Sequence, residues 1–117
     1  MIGAIHSNKA KESVKTVVQT LWSGATVTYY IFKDFGLVMG YLDIKMGTIN
    51  SNSWYQYAFP EEVGTPTASR VAAIANGSNG LSSALCKTDQ GVRKLNIFTG
   101  NLTSGTVFNG TIVFPVE

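Results

Sequence analysis

The sequence predicts an all-β protein, an antiparallel β-sandwich or barrel, jelly-roll-like, of about eight short strands. Three observations carry that expectation. The stretch from Leu21 to Met46 reads as one long hairpin with a period of two on both arms. Gly, Pro, Asn, Asp and Ser punctuate the rest of the chain at intervals of roughly 8 to 12 residues, the rhythm of short strands. No segment is periodic and long enough for the helix of a βαβ unit, which argues against a parallel sheet.

Taken in order, residues 1–12 are polar and basic with no clear period, and read as a tail. The expected division is an N-terminal tail or stem remnant over residues 1–20 and a β-sandwich head over residues 21–117. Residues 13–21 fit two patterns. Val14, Val17, Val18 and Leu21 would share one face of a helix, the last turns of a coiled-coil stem. The β-branched run Val14-Lys15-Thr16-Val17-Val18 favours a strand, because branching at Cβ suits a pleated surface better than a helix. The strand is the expectation.

In the hairpin, Ala25, Val27, Tyr29 and Ile31 alternate with Thr26, Thr28, Tyr30 and Phe32. Asp34 and Gly36 supply the turn, since both tolerate positive φ. Residues 37–46 return with Val38, Leu42, Ile44 and Met46 on one face. A hairpin alone is marginal in water and needs further strands to cover its apolar side. Residues 47–53 form a turn region of Gly, Asn and Ser, and residues 54–59 an aromatic strand that ends at Pro60. Residues 61–68 hold Gly64 and Pro66 and read as a loop. Strands follow at 70–75, 81–87 and 92–98, separated by turns at 76–80 and 89–91. A loop at 99–105 leads to a last strand over 106–115, with Phe108, Ile112 and Phe114 on one side.

At 117 residues the chain is one domain, able to bury a real core. Apolar residues make up 44% and charged residues only 14%, which excludes a disordered chain. The net charge is +2 and the nine basic residues are scattered, so no stripe for nucleic acid is present. No run reaches the roughly 18 apolar residues of a membrane-spanning helix. Residues 1–10 lack the apolar core of a signal peptide. Cys86 is the single cysteine, so an intrachain disulfide is excluded and the thiol is expected to be a small buried apolar group.

Groups for catalysis are sparse. Asp34 and Asp89 sit in turns, where Asp caps backbone, and the adjacent Glu61 and Glu62 are not a pair facing across a cleft. The single histidine, His6, lies far from Cys86 in sequence. No Cys/His cluster has metal-ligand spacing, and Gly77-Ser78-Asn79-Gly80 lacks the Lys-Ser/Thr ending of a phosphate loop. The expectation is a non-enzyme without cofactors or metal. The aromatic strand points elsewhere: Tyr55 and Tyr57 lie on one face, Trp54 and Gln56 on the other. An aromatic plate beside polar loops holds sugars, the ring packing on apolar CH faces while amides and charges meet hydroxyls. The candidate saccharide contacts are Trp54, Tyr55 and Tyr57 for stacking, with Arg70, Asn76, Asn79 and Asp89 for hydroxyls. Trp22 is expected to pack in the fold.

The order of these features resembles a known family. Trp22-Ser23-Gly24 precedes the hairpin; Phe59-Pro60 and the late strand Leu95-Asn96-Ile97-Phe98 follow. Leu102-Thr103-Ser104-Gly105 then leads to the ending Gly110-Thr111-Ile112-Val113-Phe114-Pro115-Val116-Glu117. Over roughly residues 20 to 117 the chain resembles the C-terminal head domain of receptor-binding proteins on the baseplates of tailed phages of Gram-positive bacteria, lactococcal ones especially. The resemblance implies a homotrimer on the virion that recognises host cell-wall saccharide or teichoic acid during adsorption and contacts other baseplate or tail proteins. It carries over no individual sugar-binding residue, and a full stem and shoulder are lacking. Two alternatives stand beside it: a structural baseplate domain that binds proteins and no glycan, and a carbohydrate-binding module of a secreted bacterial protein.

Overall fold

The computed structural model describes residues 14–47, 52–77, 80, 82–100 and 105–117. Eight strands run in order: β1 (Val14–Trp22), β2 (Ala25–Phe32), β3 (Leu37–Lys45), β4 (Trp54–Ala58), β5 (Arg70–Asn76), β6 (Ser82–Thr88), β7 (Lys94–Phe98) and β8 (Val107–Pro115). No α-helix occurs among the described residues; one 3-10 turn, Lys33–Phe35, links β2 to β3. The strand reading of the segment before the hairpin holds: β1 pairs along β2 from Val14↔Phe32 to Trp22↔Ala25.

All eight strands form one antiparallel sheet in the order β1-β2-β3-β8-β5-β6-β7-β4. Two meanders, β1-β2-β3 and β5-β6-β7, follow from short connections. Three longer connections complete the sheet: one leads from β3 to β4 at the far edge beside β7, residues 59–69 lead from β4 back to β5 in the middle, and one returns the chain from β7 to β8 between β3 and β5. The β5–β8 ladder is short, pairing Ala75 with Asn109 and Asn76 with Phe108. There a Cβ on Gly110 would come within 2.7 Å of the Ala73 carbonyl oxygen, so the absence of a side chain lets the two strands approach.

At the hairpin turn the left-handed residue is Gly36, with φ of 60°, and its N–H donates to the Lys33 carbonyl at 3.3 Å. A Cβ there would be strained, which is why Gly sits at this position. The loop after β4 is pinned by Arg93, whose Nη1 donates to the Val63 carbonyl at 2.6 Å and Nη2 to the Pro60 carbonyl at 3.2 Å.

The sheet curls so that its inner face becomes the core. Strand alternation decides which residues enter it. Ala25, Val27, Tyr29 and Ile31 of β2 are all buried, as are Val38, Leu42 and Ile44 of β3 and Phe108, Ile112 and Phe114 of β8. Ile74, Cys86, Leu95 and Ile97 supply the other half. Phe59 lies at the centre, stacked on Phe114 at 5.4 Å and edge-on to Tyr29 at 5.8 Å. Each large side chain so buried contributes about 1.5–3 kcal/mol from removal of apolar surface.

The two edges of the sheet, β1 and β4, meet without a backbone ladder. Side chains join them instead. Gln19 Nε2 donates to the Ala58 carbonyl at 2.7 Å, and Tyr29 Oη donates to Gln19 Oε1 at 2.9 Å. Beside this clasp the Trp22 ring leans against Tyr55 and Tyr57, with centroids 6.4 and 6.2 Å away. Trp22 thus packs in the fold, as its place at the hairpin entry implies. Its indole Nε1 is buried and meets no hydrogen-bond partner.

Candidate functional site

The outer face of β4, β6 and β7 gathers the polar and aromatic groups best suited to hold a ligand. Register explains how. Trp54 of β4 pairs with Phe98 of β7, and Phe98 with Leu85 of β6. The next outward row is Gln56, Asn96 and Lys87. Alternation keeps all of these on the same side. Trp54 is 51% exposed, its ring 5.1 Å from that of Phe98.

Lys87 reaches across the row, its Nζ 5.2 Å from the Trp54 ring centroid and 3.5 Å from Asp89 Oδ1. Both Lys87 and Asp89 are partly exposed, so water screens the pair and it contributes little to stability. It does fix positions. Asn96 is buried to 2% exposure and its Nδ2 donates to Asp89 Oδ2 at 3.3 Å. A buried carboxamide requires a partner, and Asp89 supplies it. Both carboxylate oxygens are thereby occupied and the turn carrying Asp89 is tied to β7. The result is a half-exposed indole bordered by an ammonium, a carboxylate and two carboxamides on three adjacent strands.

The residues expected to contact saccharide are not all here. Trp54 and Asp89 come together through Lys87. Tyr55 and Tyr57 point the other way, to the inner side of the seam, where they are half-buried against Trp22. There burial pushes the Tyr57 hydroxyl up, and neighbouring Tyr55 adds to the shift. Arg70 lies exposed at the start of β5 and donates from Nη1 to the Ser69 carbonyl at 2.9 Å. Asn76 is half-buried at the opposite end of β5, and Asn79 lies outside the described residues.

Sequence reasoning did not select Lys87, Asn96 or Gln56. Their signal was the phase of alternation, Lys87 with Leu85 and Asn96 with Phe98, but the row exists only once β4, β7 and β6 are known to be neighbours. A recess of about 240 Å³ lies elsewhere, between Ile31, Phe32, Gly36, Glu62 and Val116. It is below the roughly 300 Å³ at which small-molecule pockets begin and includes none of the residues above. Among the described residues no group of His, Cys, Asp and Glu is arranged to hold a metal ion, and no helix is long and apolar enough to cross a membrane. Cys86 is fully buried, and that burial pushes its thiol up to about 12.

No protein-family model matches the chain. No curated protein matches it either.

Proposed function

We propose that this chain is a non-enzymatic recognition head that binds saccharide of a bacterial envelope, of the kind phages carry on a tail or baseplate for adsorption. One observation carries the reading: the Trp54 ring, half exposed and bordered by Lys87 and Gln56, with Lys87 held by Asp89 and Asp89 in turn by the buried Asn96. Sugars present apolar CH faces that stack on such a ring, and hydroxyls that meet amide and charged groups. The Trp54 ring is open to solvent, which suits a repeating polymer met at many points. Affinity per site is then modest, and presentation of several heads together supplies the strength.

The test is binding of the chain to isolated cell-wall polysaccharides, teichoic acids and whole bacterial cells. Trp54→Ala is expected to retain the β circular-dichroism spectrum and to lose about tenfold in affinity, the upper end of what an aromatic contact supplies. The proposal falls if the unmodified chain binds no envelope polymer, or if Trp54→Ala binds as tightly as the parent.

A further inference from the structure

The charges around Trp54 narrow the kind of saccharide that fits it. The outward row through Trp54 continues over Phe98 and Leu85 to Ala73 of β5 and carries no charge. The next row runs from Gln56 and Asn96 to Val71, and Lys87 is its one charged residue. Lys94 faces the same way as Phe98 but lies about 13 Å from it along β7, more than the Debye length of about 8 Å at physiological ionic strength. Arg93 is committed to the Val63 and Pro60 carbonyls, and Arg70 to the Ser69 carbonyl. Residues 48–51, 78–81 and 101–104 include no charged residue. Among the described residues, Lys87 is therefore the one cation beside the ring.

That cation is already engaged. Its Nζ lies 3.5 Å from Asp89 Oδ1. Asp89 is held in turn through Oδ2 by Asn96, itself 2% exposed, at 3.3 Å. A carboxylate tied down by a buried carboxamide stays in place when a second anion approaches Lys87. A phosphodiester or a carboxylate accepts hydrogen bonds and donates none, so sites that take one converge donors, Arg above all. The surroundings of Trp54 are mixed instead: a donor in Lys87, an acceptor in Asp89, and both in the carboxamide of exposed Gln56. A sugar hydroxyl or acetamido group donates and accepts, and so can pair with all three.

We infer that the Trp54 site selects uncharged saccharide and rejects anionic wall polymer, with Asp89 as the residue that decides between them. The inference rests on the saccharide reading of the site and adds the charge class of the ligand. Discrimination comes from a built-in repulsion as well as from attraction.

Titration of the full chain with a panel of uncharged bacterial wall polysaccharides and with poly(glycerol phosphate) teichoic acid, each at about 50 mM and about 500 mM NaCl, tests it. An uncharged polymer is expected to bind at least about tenfold more tightly than the teichoic acid, with an affinity that changes by less than about twofold between the two salt concentrations. Asp89→Asn keeps an acceptor for Asn96 and removes the negative charge, which frees Lys87. That variant should retain the parent's circular-dichroism spectrum, gain about tenfold in affinity for teichoic acid at low salt, and lose the gain at high salt. Three results would each overturn the inference and leave saccharide recognition standing: teichoic acid bound by the parent as tightly as any uncharged polymer, uncharged-polymer affinity that falls severalfold with salt, or a folded Asp89→Asn that discriminates as the parent does. Binding of neither class of polymer would remove saccharide recognition itself, and the inference with it.

Discussion

Replacing Gln19 with Ala removes the clasp between the two edges of the sheet. Two hydrogen bonds go: Gln19 Nε2 to the Ala58 carbonyl at 2.7 Å, and Tyr29 Oη to Gln19 Oε1 at 2.9 Å. The two losses differ in kind. The first joins a half-buried amide to an edge carbonyl that water can reach, and is worth about 0.5–1.5 kcal/mol. The second leaves the hydroxyl of a fully buried tyrosine without a partner, which costs about 1–3 kcal/mol. Gln19→Ala should therefore destabilise by about 2–4 kcal/mol. Tyr29→Phe removes only the donor and should cost about 1 kcal/mol. In the double variant no orphan hydroxyl remains, so it should lose less than the sum of the singles by about 1–2 kcal/mol. Urea unfolding followed by Trp fluorescence measures all three, with constant m showing that folded and unfolded compactness are unchanged. If Gln19→Ala shifts stability by under about 0.5 kcal/mol, or if the two substitutions are additive, the seam is not held as described.

Three further outcomes are expected. Thr88 is fully buried and its Oγ1 meets no hydrogen-bond partner, so Thr88→Val should raise stability by about 1 kcal/mol in the same urea assay. Gly110→Ala should destabilise by about 1–3 kcal/mol, because its Cβ would meet the Ala73 carbonyl at 2.7 Å and push β5 from β8. Cys86 is neutral in the fold up to about pH 12, against an ordinary thiol value of about 9. Its contribution to stability is complete below about pH 9 and is lost as pH rises from there to about 12, since the unfolded chain releases the proton first. Buried Tyr29, whose hydroxyl burial also pushes up, adds to the alkaline loss above its own ordinary value. Unfolding midpoints measured across that range should fall, and Cys86→Ala should flatten the early part of the fall.

Much of the fold was legible because strand patterning is local. The period of two in residues 25–32 assigns every second side chain to the core whatever strand lies alongside, and the structure buries Ala25, Val27, Tyr29 and Ile31. The same reasoning set Trp54 and Gln56 against Tyr55 and Tyr57, and they do face opposite ways. Local patterning is silent on which strand neighbours which. That β4 would lie beside β7, with β8 inserted between β3 and β5, depends on contacts between residues far apart in the chain.

The candidate site divides along the same line. Trp54 and Asp89 were identified by their chemistry, while Lys87 and Asn96 were invisible until three strands lined up their rows. Asn96 reads as an outward polar residue, yet it is 2% exposed because Asp89, from a turn seven positions earlier, folds back over it.

The amino-acid sequence by itself determined that this chain makes short strands, where they turn, and which face of each is apolar, because backbone sterics and side-chain alternation act between near neighbours. Only the tertiary structure decided the order of the strands, the clasp of Gln19 across the open edges, and the row of Gln56, Asn96 and Lys87 beside Trp54. Those features come from side chains that meet only after the long connections before β4, β5 and β8 have closed, and no local rule specifies where a long connection lands.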